Sequence, residues 1–460
     1  MKVVIAGGGP AGSTAAYWLA AHGHEVVVLE KTAHPREKVC GDGLTPRAVH
    51  EMQLMDLPHG AQDGYRANRG LRLCARDRAI EVPWPELTDF PSYGLVRPRS
   101  GFDQHLARHA EAAGARLIEH RSVTSVVRDD DGRVIGADAS VLGADGRRTG
   151  ETERHLGDLV LTADGVSSRT AVSSGLHRDP DRLMGVAVRG YYESPRTDIE
   201  WMEGWLELRD GTDPSGSLLP GYGWVFGAGD GTANVGLGML STSKAFRGTD
   251  YRRVLQDWAA SMPSQWTFDS EHQRGRILSA ALPMAFSRTP HWVPGMMLLG
   301  DSAGLVSAFN GEGISNAMQS ARLAAEQIHE AAGANGPAQR DVVLARYPQL
   351  LQDEWGAHFT QGRALAQLIG RPRIMKAAVA TGMSLPALMR FVVQVMTELS
   401  DRPAHTWEDR AIALLDALTP ATSNRRGGGR GAPRPPPPPR PPPRRGAGGG
   451  SNTPPPPPPP

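Results

Sequence analysis

At 460 residues the chain is long enough for two or three domains, and 40% hydrophobic with 22% charged residues suits a soluble globular protein with a sizeable core. The net charge of +1 averages two unlike parts: residues 424–460 hold seven arginines, no acid and 16 of the 38 prolines, leaving 43 basic against 49 acidic groups elsewhere. That mildly acidic body argues against a nucleic-acid partner, and two cysteines, Cys40 and Cys74, exclude a disulfide framework and fit a reducing compartment. Neither CxxC nor HExxH occurs, so no metal site is expected. The N-terminus reads directly as a strand, without a cleavable signal, and no uncharged apolar run of 18 residues offers a membrane span.

In chain order, residues 2–6 read as a buried parallel strand, 11–21 as an alanine-rich helix and 25–29 as a second buried strand, together one βαβ unit. Residues 122–127, 132–139 and 159–162 read as strands, with the polar, glycine-rich 142–157 expected as a loop extension. Strands at 184–192, 205–208, 223–226 and 233–240, separated by turn signals, predict a largely antiparallel sheet. A short strand at 296–299 leads into Gly300-Asp301, and a helix follows over 313–331. Helix formers dominate 347–418, with breaks at Gly370, Pro372, Gly382 and Pro386. The Arg/Gly/Pro-rich end cannot bury a core and is expected as a disordered tail with polyproline II character.

Gly7, Gly9 and Gly12 satisfy GxGxxG where strand passes into helix, with Pro10 and Ala11 opening the helix. The first glycine permits the turn, the second lets backbone approach a pyrophosphate, and the third lets helix and strand pack closely. The helix N-terminus offers free N–H groups to phosphate. Glu30 ends the second strand, 18 residues after Gly12, where an acid accepts from ribose hydroxyls. Two further turns, Asp164-Gly165 and Gly300-Asp301, each follow a strand. Phe309-Asn310-Gly311-Glu312-Gly313-Ile314 then opens a helix whose N–H groups suit the negative charge of a reduced flavin, Asn310 as a plain N-cap being a compatible reading.

These motifs, in this order, resemble the flavoprotein superfamily typified by p-hydroxybenzoate hydroxylase. The resemblance implies an α/β fold: a Rossmann-type FAD-binding domain, an inserted antiparallel β-sheet substrate domain and a helical C-terminus. The boundaries expected are 1–64, 95–178 and 278–345 for the FAD domain, 65–94 and 179–277 for the substrate domain, 346–420 for the helices and 421–460 for the tail. It further implies that Asp301 holds the FAD ribitol and that Asp164 and Gly165 sit near the pyrophosphate and flavin. Arg99, four residues before Asp103, contacts FAD on the same grounds, with Lys31, Cys40, Gly41, Val123, Gly311, Gly313 and Ile314 beside it.

Residues 35–44 (PREKVCGDGL) and Tyr222-Gly223-Trp224-Val225-Phe226 resemble, more narrowly, the geranylgeranyl reductase family, FAD enzymes that hydrogenate isoprenoid double bonds. Many members have proline after that aromatic motif, where this chain has Gly227. The strings at 40–49, 90–94, 186–192, 219–226, 234–243 and 310–314 resemble the actinobacterial branch that saturates the side chain of menaquinone. The resemblance therefore implies a polyprenyl lipid substrate. Seven aromatics (Trp201, Trp205, Tyr222, Trp224, Phe226, Trp258 and Trp266) crowd the sheet region, and Tyr222, Trp224 and Phe226 are the candidates for the substrate wall. The apolar 374–399, punctuated by Lys376 and Arg390, reads equally as interfacial helices or as core helices. A peripheral association with the cytoplasmic side of the cell membrane is expected.

An isolated alkene needs hydride from the flavin coupled to a proton from elsewhere. Cys40 is the first candidate acid and Tyr222 the second. Cys74 reads as structural, and His34, His50 and His105 as surface residues. No second GxGxxG marks an electron donor site. The alternatives are a geranylgeranyl diphosphate or ether-lipid reductase, which would need a basic diphosphate pocket, and a monooxygenase or halogenase on the same scaffold.

Overall fold

The computed structural model describes residues 1–422, apart from 76–77, 210–215, 217, 243–245, 247 and 402. The expected tail lies, from 423 onward, outside the described residues.

The βαβ start builds a six-stranded sheet in the order Trp292–Val293, Met296–Leu298, Leu159–Thr162, Lys2–Ala6, Glu25–Leu29, Arg116–Ile118, parallel throughout except for the first, edge strand. Val3, Val4 and Ile5 are fully buried because helices cover one face and the strands Arg121–Arg128 and Val134–Leu142 pack on the other, so the parallel strands show no alternation. Helix Pro10–Ala21 packs on this sheet and closely against helix Ile314–Ala332, the two burying small residues such as Ala15, Ala317, Ala321 and Ala324.

Residues 142–157 are not a loop extension. Arg148–Leu156 is a strand pairing with Val134–Leu142, which pairs in turn with Arg121–Arg128. Most of its side chains are exposed, so neither an apolar run nor alternation marked it.

The second large sheet has seven strands, ordered Gln273–Pro283, Met184–Glu193, Thr232–Leu240, Gly221–Gly227, Met202–Trp205, Gly70–Ala75, Arg78–Pro83. All neighbours are antiparallel except Met202–Trp205 with Gly70–Ala75. The strand expected at 205–208 lies three residues earlier, where Met202 and Glu203 are buried. Helix Tyr251–Ala260 covers one face of this sheet through Val254, Leu255 and Trp258.

The C-terminal helices break where glycine and proline require: Tyr347–Ile369, Pro372–Gly382, Pro386–Thr397 and Trp407–Leu418. A buried polar cluster fixes them to the nucleotide-binding part. Arg47 pairs with Glu354 and Glu398 and donates to Gln319, while Ser307 Oγ meets His358 Nε2 at 3.1 Å. Burial raises the Glu398 carboxyl to about 7 and lowers the His358 imidazole to about 3.

Candidate active site

One cavity of about 1340 Å³ collects nearly every residue singled out from the sequence. Gly7, Gly9, Pro10, Ala11, Glu30, Lys31, Cys40, Gly41, Arg99, Val123, Asp164, Gly165, Asp301, Gly311, Gly313 and Ile314 line it, and so do Tyr222, Trp224 and Phe226. Gly12 does not. A Cβ there would lie 1.8 Å from the Gly7 carbonyl oxygen, so Gly12 sets the approach of helix to loop rather than touching a ligand.

At the polar end, Gly7 turns with φ of +100°, where a side chain would meet Ala163 O at 2.5 Å. Helix Pro10–Ala21 starts at Gly9 without a side-chain cap, which leaves its first N–H groups for a phosphate. Glu30 accepts from Gly8 N at 2.7 Å and Thr32 N at 3.1 Å. His34 is not a surface residue: it is buried, and its ring nitrogens meet Gly8 O at 3.2 Å and Glu119 at 3.1 Å, bracing the glycine loop.

The three expected FAD residues farther along differ in how far they are free to bind. Asp164 spends its carboxylate on Thr170 N and Oγ1 and on Ser302 Oγ at 3.1 Å, tying the central turn to the later one. The Asp301 carboxylate has no hydrogen-bond partner among the described residues and faces the cavity as an open acceptor. Arg99 is buried, with a two-pronged pair to Asp103 at 2.6 and 2.9 Å; Arg36 joins Asp103 at 3.2 Å. Lys38, which the sequence reading passed over, lines the cavity too, and burial lowers its ammonium against the pull of Asp301. Helix Ile314–Ala332 is capped by Gly313, not Asn310, whose side chain instead accepts from Glu312 N at 3.0 Å. An uncapped helix start, an open carboxylate acceptor and backbone approaches that admit no Cβ are what a dinucleotide such as FAD requires, and the residues present fit it.

Between the two ends runs the loop carrying Cys40. Its thiol is half-buried, and burial pushes its ionisation up, against the effect of Arg99. Asp42, unremarked in sequence although it stands inside the 35–44 string, is fully buried behind that loop. It accepts from Arg99 N at 3.1 Å, Tyr191 Oη at 2.5 Å and Asn234 Nδ2 at 2.7 Å. Even with those donors, burial raises its carboxyl to about 6. Asn234 also donates to Cys40 O at 2.8 Å and accepts from Trp224 Nε1 at 2.9 Å. Cys40 and Trp224 are thus held by one network.

At the apolar end, Tyr222, Trp224 and Phe226 share a sheet face, with ring centroids 6.2 and 6.4 Å apart. Gly238 and Gly236 stand opposite the first two on the next strand, leaving room for the rings. The Tyr222 hydroxyl donates to Asn310 O at 2.5 Å, and burial raises its ionisation. The other four aromatics are not in the cavity lining. Trp205, Trp258 and Trp266 form a separate core with helix Tyr251–Ala260, on the face opposite Trp224. Trp84 from 65–94 does line the cavity, as do Leu71, Leu73, Leu206, Leu282, Met284, Met389 and Val393. Cys74 is buried outside it.

Known proteins resemble the chain over most of its length, both ends of the cavity included. The family model described as "FAD binding domain" matches residues 1–349. A menaquinone reductase of Mycobacterium tuberculosis is 36% identical over 409 residues, covering 89% of this chain and 93% of the relative. A digeranylgeranylglycerophospholipid reductase of Thermoplasma volcanium is 26% identical over 417 residues, covering 87% of this chain and 98% of that one. Among solved structures, a geranylgeranyl bacteriochlorophyll reductase-like protein of Thermoplasma acidophilum superposes with a TM-score of 0.66 at 22% identity, over 91% of this chain and 96% of its own, a likeness of fold.

Proposed function

We propose that this chain, which belongs to the geranylgeranyl reductase family of FAD-dependent oxidoreductases, saturates a carbon–carbon double bond in the isoprenoid side chain of menaquinone. The observation that carries the reading is the single cavity: its polar end fits the dinucleotide and its other end is walled by aliphatic side chains and three aromatic rings. The relative at 36% identity, named for menaquinone, supports the quinone over the ether lipid. So does the lining. Arg36, Lys38, Arg99, Arg121 and Arg169 belong to the cofactor end, and Glu203 is the one charged residue among the described apolar-end residues, so no basic pocket awaits a diphosphate.

Gly7, Gly9 and the start of helix Pro10–Ala21 would hold the pyrophosphate, with Glu30 and Asp301 as acceptors for sugar hydroxyls. FAD, when bound, supplies the hydride. The protein's part is to align the alkene, exclude water and deliver one proton. Phe226 and Trp224 pack directly on the Cys40 loop at Gly41, so with Tyr222 they would flank the prenyl chain beside that loop, and the apolar walls keep bulk water from the reacting carbons. Cys40 keeps its proton at Sγ near neutral pH because burial disfavours the thiolate. Transfer of that proton to the alkene carbon breaks the S–H bond, forms a C–H bond and leaves a thiolate beside the Arg99 guanidinium. Tyr222 is the weaker acid here, since its proton is already engaged by Asn310 O. Mass spectrometry of quinones from cells with and without the gene tests the reading: deletion is expected to leave the fully unsaturated menaquinone, 2 Da lighter than the saturated product, and restoring the gene to bring the 2 Da back. Unchanged menaquinone overturns it.

A further inference from the structure

We propose that the bent helix pair Pro372–Gly382 and Pro386–Thr397 docks on an anionic lipid bilayer surface and opens the cavity to it. The proposal rests on the prenyl-lipid reading above and names the surface from which the substrate enters.

Three observations carry it. From 355 to 397 the sequence holds Arg363, Arg371, Arg373, Lys376 and Arg390 and no acid, in a body that is otherwise mildly acidic. Arg371, Arg373, Lys376 and Arg390 are exposed and make no ion pair among the described residues. Such unpaired cations beside apolar side chains complement an acidic headgroup layer.

The apolar residues among those cations are exposed as well. Leu385 is 51% accessible, Leu388 41% and Ile374 37%, on a pair whose other face packs through Met383, Met389 and Val393 against the sheet at Ala75 and Val82. Among the described residues no single helix is long and apolar enough to cross a membrane, but this pair, bent by 116°, has the length and composition of one that enters and returns.

The pair is also the wall of the cavity. Ile374 and Leu388 line it, and Leu385, three residues before Leu388 and 51% accessible, is exposed without lining it, so one short hairpin carries both cavity wall and exposed apolar surface. A protein partner would leave a membrane-borne prenyl chain to cross water. A bilayer seated on this face would not, which is why the observations favour lipid.

The test uses the full chain with FAD and vesicles of phosphatidylcholine, with or without phosphatidylglycerol. Hydrogen–deuterium exchange is expected to slow in 368–390 on the anionic vesicles, and the protection to fade in high salt. Absence of protection there, or protection confined to the arginine-rich end of the chain, overturns the proposal. A variant carrying Arg373→Glu, Lys376→Glu and Arg390→Glu should partition about ten- to a hundredfold less onto these vesicles. It should lose turnover on vesicle-borne menaquinone but keep turnover on a short prenyl quinone in detergent. Loss of both activities with vesicle binding intact overturns the docking role. Failure of the unaltered protein on the detergent substrate counts against the prenyl-reductase reading alone, because the exchange result stands apart from catalysis.

Discussion

The two ends of the cavity are built by different means. The cofactor end is made of backbone at close quarters: Gly7 against Ala163, Gly12 against Gly7, and two helix starts without side-chain caps. The substrate end is made of side chains brought from 71–84, 202–206, 221–240, 282–284 and 365–397. Backbone contacts tolerate no added atom, so they are written as short motifs. A greasy wall tolerates exchange of one hydrophobe for another, provided the volume is kept. The chemistry of the cofactor is thus fixed locally, and the choice of substrate is distributed over the chain.

Gly12→Ala is the harshest way to break that contrast. Alanine favours a helix over glycine by about 1 kcal/mol, so any loss must come from the contact with Gly7 O and not from helix propensity. The new Cβ at 1.8 Å cannot be accommodated without shifting the glycine loop. The expected outcome is a folded but colourless protein, checked by visible flavin absorbance beside far-UV circular dichroism. A yellow variant with full occupancy would mean that the loop is not held by backbone fit.

The next test lies at the junction of the two ends. Cys40→Ala should retain FAD and lower kcat by about 10²–10⁴, the usual worth of a positioned acid. Tyr222→Phe, which removes a hydroxyl already bonded to Asn310 O, should lower kcat less than about tenfold. The rate at which the reduced enzyme forms side-chain-saturated product, 2 Da heavier than the substrate, measures both. The reverse ranking would move the acid from the loop to the sheet.

What could be read from the sequence follows the same division. GxGxxG, Glu30, Asp164-Gly165 and Gly300-Asp301 are local, and the structure gathers them at one end of the cavity. Glycine and proline likewise marked the breaks among the C-terminal helices, because their backbone preferences do not depend on distant partners. Which aromatics face the cavity was partly legible: alternation puts Tyr222, Trp224 and Phe226 on one face, but it does not tell that Trp205, Trp258 and Trp266 fill the core behind them. That depends on where helix Tyr251–Ala260 settles. Arg148–Leu156 escaped notice because an exposed strand carries no hydrophobic period. Asp42, Tyr191 and Asn234 escaped it because Tyr191 and Asn234 lie 149 and 192 residues from Asp42 along the chain and are brought opposite each other only by the register of the seven-stranded sheet.

That last cluster is the seam of the molecule, and its titration offers the finest test of how the ends are joined. Asp42 links Arg99 N on the cofactor side to Tyr191 and Asn234 on the substrate sheet, with Arg189 and Cys40 near it. Its carboxyl titrates at about 6 when folded, against a usual 3.8, burial being the main cause. Between those values the folded chain binds more protons than the unfolded one, so this group's contribution falls as pH rises from about 4 to about 6. A shift of that size corresponds to about 3 kcal/mol as an order of magnitude. Asn at 42 tolerates the φ of 67° but does not titrate, and its amide meets the Asn234 donor badly. Asp42→Asn should therefore be less stable than the parent at pH 4, with the gap narrowing or reversing by pH 7. Urea unfolding across that range measures it, and parallel curves for the two proteins would show that Asp42 is ionised throughout and that the seam is held by a charge rather than by a shared proton.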